Sequence, residues 1–167
     1  MMKKILFALV LFVTAQATFA QSNNTYETEN EGWLVMLDDA YEESQKTGKP
    51  ILANFTGSDW CGWCKRLSAA VFVKPEFKKW ADENVVLLEL DFPRRKQIPE
   101  EIKQQNAGLQ RAFKVRGFPT VWVFNLDKDP ATMKYSIQAL GKTGYTKTVA
   151  QFTSDIERMI DKGAAGE

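Results

Sequence analysis

Cys61-Gly62-Trp63-Cys64 constrains this chain more than any other segment. These two cysteines are the only ones in the sequence. The apolar run Ile51-Leu52-Ala53-Asn54-Phe55 lies just upstream and has the length of a short buried strand. Thr56-Gly57-Ser58-Asp59 then supplies turn chemistry and helix-capping side chains. Cys61 to Ala70 reads as a helix, with Leu67 and Val71 on its buried face. Two thiols placed where a strand runs into a helix N-terminus form a dithiol/disulfide redox site. The first thiol sits at the exposed helix start, where unpaired N–H groups and the helix dipole favour the anion. The second lies one turn in and is expected to be more buried. Cys61 is therefore the candidate nucleophile and Cys64 the candidate resolving thiol. A purely structural bridge fits poorly, because it closes a tiny loop and restricts the unfolded chain little.

The rest of the composition narrows the chemistry. The chain has 167 residues, 44% hydrophobic and 26% charged, which suits one domain with a real core. It has no histidine, so a Cys–His dyad and any zinc site using histidine are excluded. Two cysteines alone cannot make a four-thiolate zinc site, and no metal is expected. Lys3-Lys4, the apolar stretch Ile5 to Val13 and the ending Thr18-Phe19-Ala20 read as a signal peptide over residues 1–20. Cleavage there takes Lys3 and Lys4 from 22 basic residues, leaving 20 against 21 acidic ones, a net charge of −1. That balance has no basic footprint of a nucleic-acid binder.

The remaining pattern sets the organisation. Residues 21–31 are polar and read as a flexible leader, 32–162 as one domain, and 163–167 as a tail. Trp33, Leu34, Leu37, Ala40 and Tyr41 have helical spacing within Gly32 to Lys46, and Gly48 ends that helix. Pro75 opens a further helix through Trp80, and Val85 to Asp91 is a second strand. Phe92 to Gln105, with Arg94-Arg95-Lys96, reads as a surface insertion, and Asn106 to Phe113 as a short helix. Thr120 to Asn125 and Met133 to Leu140 read as strands, the second at an edge. Thr146 to Ile160 is an amphipathic helix. The order predicts an α/β layered domain.

Several of these pieces together resemble the thioredoxin-fold family. They are Asn54-Phe55, Ser58-Asp59-Trp60-Cys61-Gly62-Trp63-Cys64-Lys65, the strand ending at Asp91, and Val115-Arg116-Gly117-Phe118-Pro119-Thr120. The signature is closest to exported thioredoxin-like disulfide reductases with Asp-Trp-Cys-x-Trp-Cys-Lys. The resemblance implies a central mixed β-sheet flanked by helices, here with an N-terminal helical extension and a loop insertion. It implies a cis Phe118–Pro119 bond beside the cysteines, exposing backbone against which a substrate strand pairs. Trp60, Gly62, Trp63, Phe118 and Pro119 are then the expected substrate-binding residues. Asn54, Asp59, Lys65 and Gly141 are the expected supporting residues, Gly141 near the active face. The chain departs from ordinary thioredoxins at three places, the first being Gly62-Trp63 between the cysteines where they have Gly-Pro. Asn54 stands where the family has a buried Asp, and Leu87 where it has a buried lysine. Asn54 cannot act as a general base, which implies slower deprotonation of Cys64 unless Asp59, Glu89 or water substitutes.

The resemblance implies thiol–disulfide exchange outside the cytoplasm, in a periplasm, reducing protein disulfides. It implies no cofactor beyond the Cys61–Cys64 pair itself, a membrane electron donor, and a monomer with no nucleic-acid partner. Oxidation or isomerisation of folding proteins is the alternative within the class. A non-catalytic binding or holdase module is the alternative outside it.

Overall fold

The computed structural model describes Tyr26, Thr28 and residues 30–165, so the expected signal peptide lies outside the described residues. Helix α1 (Leu37–Thr47) leads into strand β1 (Ile51–Thr56), helix α2 (Gly62–Leu67) and a π-helical turn (Ser68–Phe72). Helix α3 (Pro75–Asn84) and strand β2 (Val86–Asp91) complete a parallel crossover. Helix α4 (Glu100–Ala112), strands β3 (Thr120–Lys128) and β4 (Tyr135–Thr143), and helix α5 (Val149–Ala164) follow. The sheet order is β2-β1-β3-β4, with β1 parallel to β2, antiparallel to β3, and β4 at an edge. This is the α/β layering that the residue pattern predicts and the mixed sheet with flanking helices that the thioredoxin-fold resemblance implies.

Side-chain alternation divides the core into two layers. Ile51, Ala53 and Phe55 of β1, with Val86, Leu88 and Leu90 of β2, face one layer, which includes Leu109 and Phe113 from the α4 region. Leu52 faces the other, with Leu67, Val71, Phe72, Phe77, Phe152 and Ile156 from the helices around the cysteines. The same alternation puts Asn54 on the Leu52 face, and Glu89 on the face opposite Leu88 and Leu90. Asn54 and Glu89 are direct register partners. Two polar residues of the central strands are thus carried to the side of the sheet that holds the cysteine helix.

Several boundaries differ from expectation, four of them at the ends of the domain and beside the cysteine turn. The first helix begins at Leu37, because Leu34 bridges to Leu88 of β2, giving Leu34 N to Leu87 O at 2.9 Å and Glu89 N to Leu34 O at 2.8 Å. The leader docks in part: Asn30 is buried, donating from Nδ2 to Glu89 Oε2 at 3.0 Å and accepting from Ser68 Oγ at 2.6 Å. The second half of the expected insertion is the start of α4, and only residues 92–99 remain loop. Helix α5 runs to Ala164, two residues past the expected domain end.

Asp59 fixes that loop against the segment that precedes the cysteines. Its carboxylate accepts from the backbone N–H groups of Arg94 at 3.0 Å, Arg95 at 2.6 Å and Lys96 at 3.0 Å. Partial desolvation pushes its pKa up, but the three N–H donors and the Arg95 charge outweigh this and hold it at about 2, against an ordinary 3.8. A carboxyl group with a depressed folded-state pKa stabilises the fold above its unfolded pKa and loses that contribution as pH falls through the folded value. Asp59→Asn is expected to be less stable than the parent above about pH 5, and the gap should close as pH falls from about 4 to about 2. Urea unfolding across that range measures the gap, and one of constant size at every pH contradicts the clamp.

Candidate active site

The cysteines meet at the start of α2 and form a disulfide, with Cα atoms 5.3 Å apart. Cys61 is the helix N-cap, and its sulfur accepts from the Cys64 backbone N–H at 3.2 Å. This is the position that favours a thiolate at Cys61 once the bond is reduced. Burial does not separate the two as expected, since Cys61 is 6% exposed and Cys64 5%. What separates them is what lies behind each sulfur.

Behind Cys64 is a small polar cavity of about 20 Å³, bordered by Asn30, Asn54, Thr56, Ser58, Cys64, Lys65, Ser68 and Glu89. That volume admits about one water molecule. Asn54 is 3% exposed, and its Oδ1 has no hydrogen-bond partner among the described residues. Glu89 is 2% exposed and is linked through Asn30 to Ser68, one turn beyond Cys64. Of the two acids that the sequence offers to Cys64, the fold brings Glu89 to this cavity and commits Asp59 to the loop 94–96.

Two groups of aromatic residues start from the cysteine segment. Trp60 contacts Phe118 at 5.9 Å between ring centres, and Phe118 stacks on Phe92 at 5.0 Å. The Phe118–Pro119 peptide bond is cis. Gly144 lies against the Pro119 carbonyl, and the next residue, Tyr145, meets Trp63 edge-on at 5.0 Å. One group begins at Trp60, one residue before the disulfide, and the other at Trp63 inside it. Trp63 is 53% exposed and Tyr145 37%, so the second group is open to solvent. Trp60 is fixed by its Nε1–H to Phe92 O bond of 2.8 Å and by close packing over Gly57. A methyl group on Gly57 would lie 2.5 Å from the indole, so only glycine fits this approach.

The other expected residues divide. Gly62 is exposed at the helix start with open space around it, and Lys65 is exposed at the rim of the cavity behind Cys64. Gly141, in β4, pairs with Val123 of β3 and lies under α5, where a side chain would strike Met159 at 2.6 Å, so the structure gives it a close-packing reason. Sequence reasoning missed Ser58, Asp91, Tyr145 and Arg66. Ser58 donates its N–H and hydroxyl to the buried Asp91 carboxylate at 2.8 and 2.6 Å, which holds the turn before the cysteines. Arg66 lies over Trp63 and Arg94 over Trp60. Arg94 is marked in the sequence by its basic run, whereas nothing but the neighbouring Trp63 marks Arg66.

Among the described residues no group of three or more His, Cys, Asp or Glu side chains is placed to hold a metal ion. No described helix is long and apolar enough to cross a membrane.

Known proteins align with this geometry. Over 81 residues the chain is 42% identical to the disulfide bond reductase DsbH of Chlamydia pneumoniae, 48% of this chain and 49% of that protein. Over 116 residues it is 29% identical to the thioredoxin-related protein DsbJ of the same organism, 70% of this chain and 33% of that one. The matches thus span half or less of these curated relatives. A solved structure titled DsbH oxidoreductase superposes with a TM-score of 0.67 at 30% identity, covering 85% of this chain and 96% of that one. A thioredoxin from Thermus thermophilus superposes with a TM-score of 0.56 at 18% identity, covering 78% and 89%, a likeness of fold alone. The family model described as a thioredoxin-like domain matches residues 37–134, and with the cysteine pair, the cis proline and the sheet order already in place, this chain belongs to the thioredoxin-like family.

Proposed function

We propose that this protein is an exported thiol–disulfide oxidoreductase that reduces protein disulfides by dithiol exchange. The observation that carries the reading is a Cys61–Cys64 disulfide at a helix start, flanked by Trp60, which packs on Phe118, and by the exposed Trp63. Homology to a disulfide bond reductase supports it. In the reducing direction the Cys61 thiolate attacks a client disulfide, forming a Cys61–client mixed disulfide and releasing one client thiol. Cys64 then gives up its proton and attacks the Cys61 sulfur, which releases the second client thiol. Two electrons pass to the client and the protein is left as the disulfide. A thiol donor must restore it, and outside the cytoplasm that donor is expected at the membrane. Residues 1–20 act as the signal peptide, and the domain works as a monomer, with no organic cofactor or nucleic acid.

Trp60, Trp63, Phe118 and the backbone at Pro119 receive the client strand. The polar cavity handles the Cys64 proton. Asn54 lacks a basic group, and Glu89 borders the same cavity. Glu89 is therefore the acceptor, directly or through one water.

The reduced protein should reduce a protein disulfide with turnover when a dithiol donor is supplied. Cys64→Ala should lose turnover and accumulate mixed disulfides through Cys61, visible on non-reducing gels. No turnover by the parent, with client binding kept by both Cys61→Ala and Cys64→Ala, would instead mark a binding module. Glu89→Gln should lengthen the life of the mixed disulfide by about a hundredfold or more near neutral pH, the scale of a lost general base. Stopped-flow decay within about twofold of the parent across pH 6–9 would remove Glu89 from the proton route, since a lost base costs about a hundredfold or more in other enzymes.

A further inference from the structure

The charges around the disulfide are segregated. A groove of about 550 Å³ runs beside Phe118 and Pro119, and its charged lining residues are Lys114, Arg116 and Lys142, all cations. Lys142 Nζ lies 5.4 Å from the centre of Trp122, which also lines the groove. Near the cysteines themselves, the Arg94 guanidinium lies 3.9 Å over Trp60 and the Arg66 guanidinium 4.5 Å over Trp63. All five cations are exposed. Among the described residues, no ion pair engages any of them. The acids around the cysteine turn are committed elsewhere, Asp59 to three backbone N–H groups and Glu89 and Asp91 to the interior, and Glu100, which shares a pocket with Arg94, pairs with Lys103. The whole chain has a formal net charge of only +1, so this accumulation is local.

We infer that the client segment meeting the disulfide is acidic, and that Arg66, Arg94, Lys114, Arg116 and Lys142 form the surface that selects it. The inference rests on the exchange reading above and names its substrate class. A guanidinium held over an indole face by a cation–π contact keeps its N–H donors available for a carboxylate. An extended client lying along Phe118–Pro119 rises about 3.3 Å per residue, so carboxylates within about four residues of its reacting cysteine reach these cations. Like-signed charge lining one cleft raises the local concentration of oppositely charged partners and speeds encounter by about 10- to 1,000-fold at low salt. The same charges slow basic partners, which makes the surface a filter as well as an attractor.

Three synthetic peptides with one internal disulfide each test this. They are alike except that the residues flanking the cysteines are Asp/Glu, Ser/Gln or Lys. The second-order rate constant for oxidation of the reduced protein by each is read from tryptophan fluorescence in a stopped-flow instrument. The acidic peptide should react about tenfold or more faster than the neutral one at low salt, and the Lys peptide more slowly than either. The differences should largely collapse at about 0.5 M salt, where the screening length falls to a few ångströms. The triple variant Lys114→Glu, Arg116→Glu, Lys142→Glu should reverse the order, and if it does not fold the salt dependence decides. Three parent rate constants within about twofold at low salt, set against the 10- to 1,000-fold of charge steering, overturn the inference. An unchanged order in the folded variant does the same. If no peptide reacts, the exchange reading fails on its own. The docking inference is then decided by titrating the same peptides against the disulfide form, where equal affinities overturn it.

Discussion

The carboxylate of Asp91 is the constraint on which the rest of the site depends. It is buried at the end of β2 and accepts the Ser58 N–H, the Ser58 hydroxyl and the Tyr26 hydroxyl at 2.8, 2.6 and 2.8 Å. Its backbone oxygen also accepts from Asn106 of α4 at 2.9 Å. A buried carboxylate is costly unless its lone pairs are filled, and here they are filled from two distant parts of the chain, while the backbone oxygen of the same residue holds a third. The result is a fixed turn at Gly57-Ser58-Asp59. From that turn Gly57 O accepts the Cys61 N–H at 2.8 Å and launches the cysteine helix. Asp59, next in line, then carries the loop 94–96, and the loop carries Arg94 onto Trp60. The active face is built outward from the sheet end, one hydrogen-bonded step at a time.

The second constraint is strand alternation. Leu52 and Asn54 of β1 share a face, and Glu89 of β2 stands beside Asn54 in register. An acid on a neighbouring strand thus reaches the space behind Cys64 although β1 itself supplies only an amide there. The leader contributes too, because Asn30 connects Glu89 to Ser68 and closes the cavity from the side. A segment outside the domain limits expected from sequence is therefore part of the polar wall behind the resolving thiol.

Much of this was legible in the residues. The three apolar runs are strands because each is short, branched-rich and bounded by turn chemistry, and β1 is buried along its whole length. The cysteine pair and the Gly117-Phe118-Pro119-Thr120 turn were legible through the family pattern. What was not legible depends on distance in sequence. Asn30 reads as leader because its partners lie 59 and 38 residues away. Helix α4 hides its first turns because a polar residue, Asn106, sits in the buried stripe with Ile102 and Leu109 and breaks the apolar period. Leu34 has helical spacing with Leu37 and Tyr41, yet an open position beside β2 captures its backbone first. Gly141 looks like a site glycine from its place in the chain, and only the helix above it reveals the packing reason.

The central claim is that Cys61 and Cys64 are a reducing couple, with Gly62-Trp63 between them in place of the Gly-Pro of ordinary thioredoxins. The equilibrium reduction potential tests it most directly, measured on the protein lacking residues 1–20 in dithiothreitol or glutathione buffers by tryptophan fluorescence. The account predicts a value near the thioredoxin end of the scale, about −270 mV. A value near about −120 mV would contradict it and make the protein an oxidant of its clients.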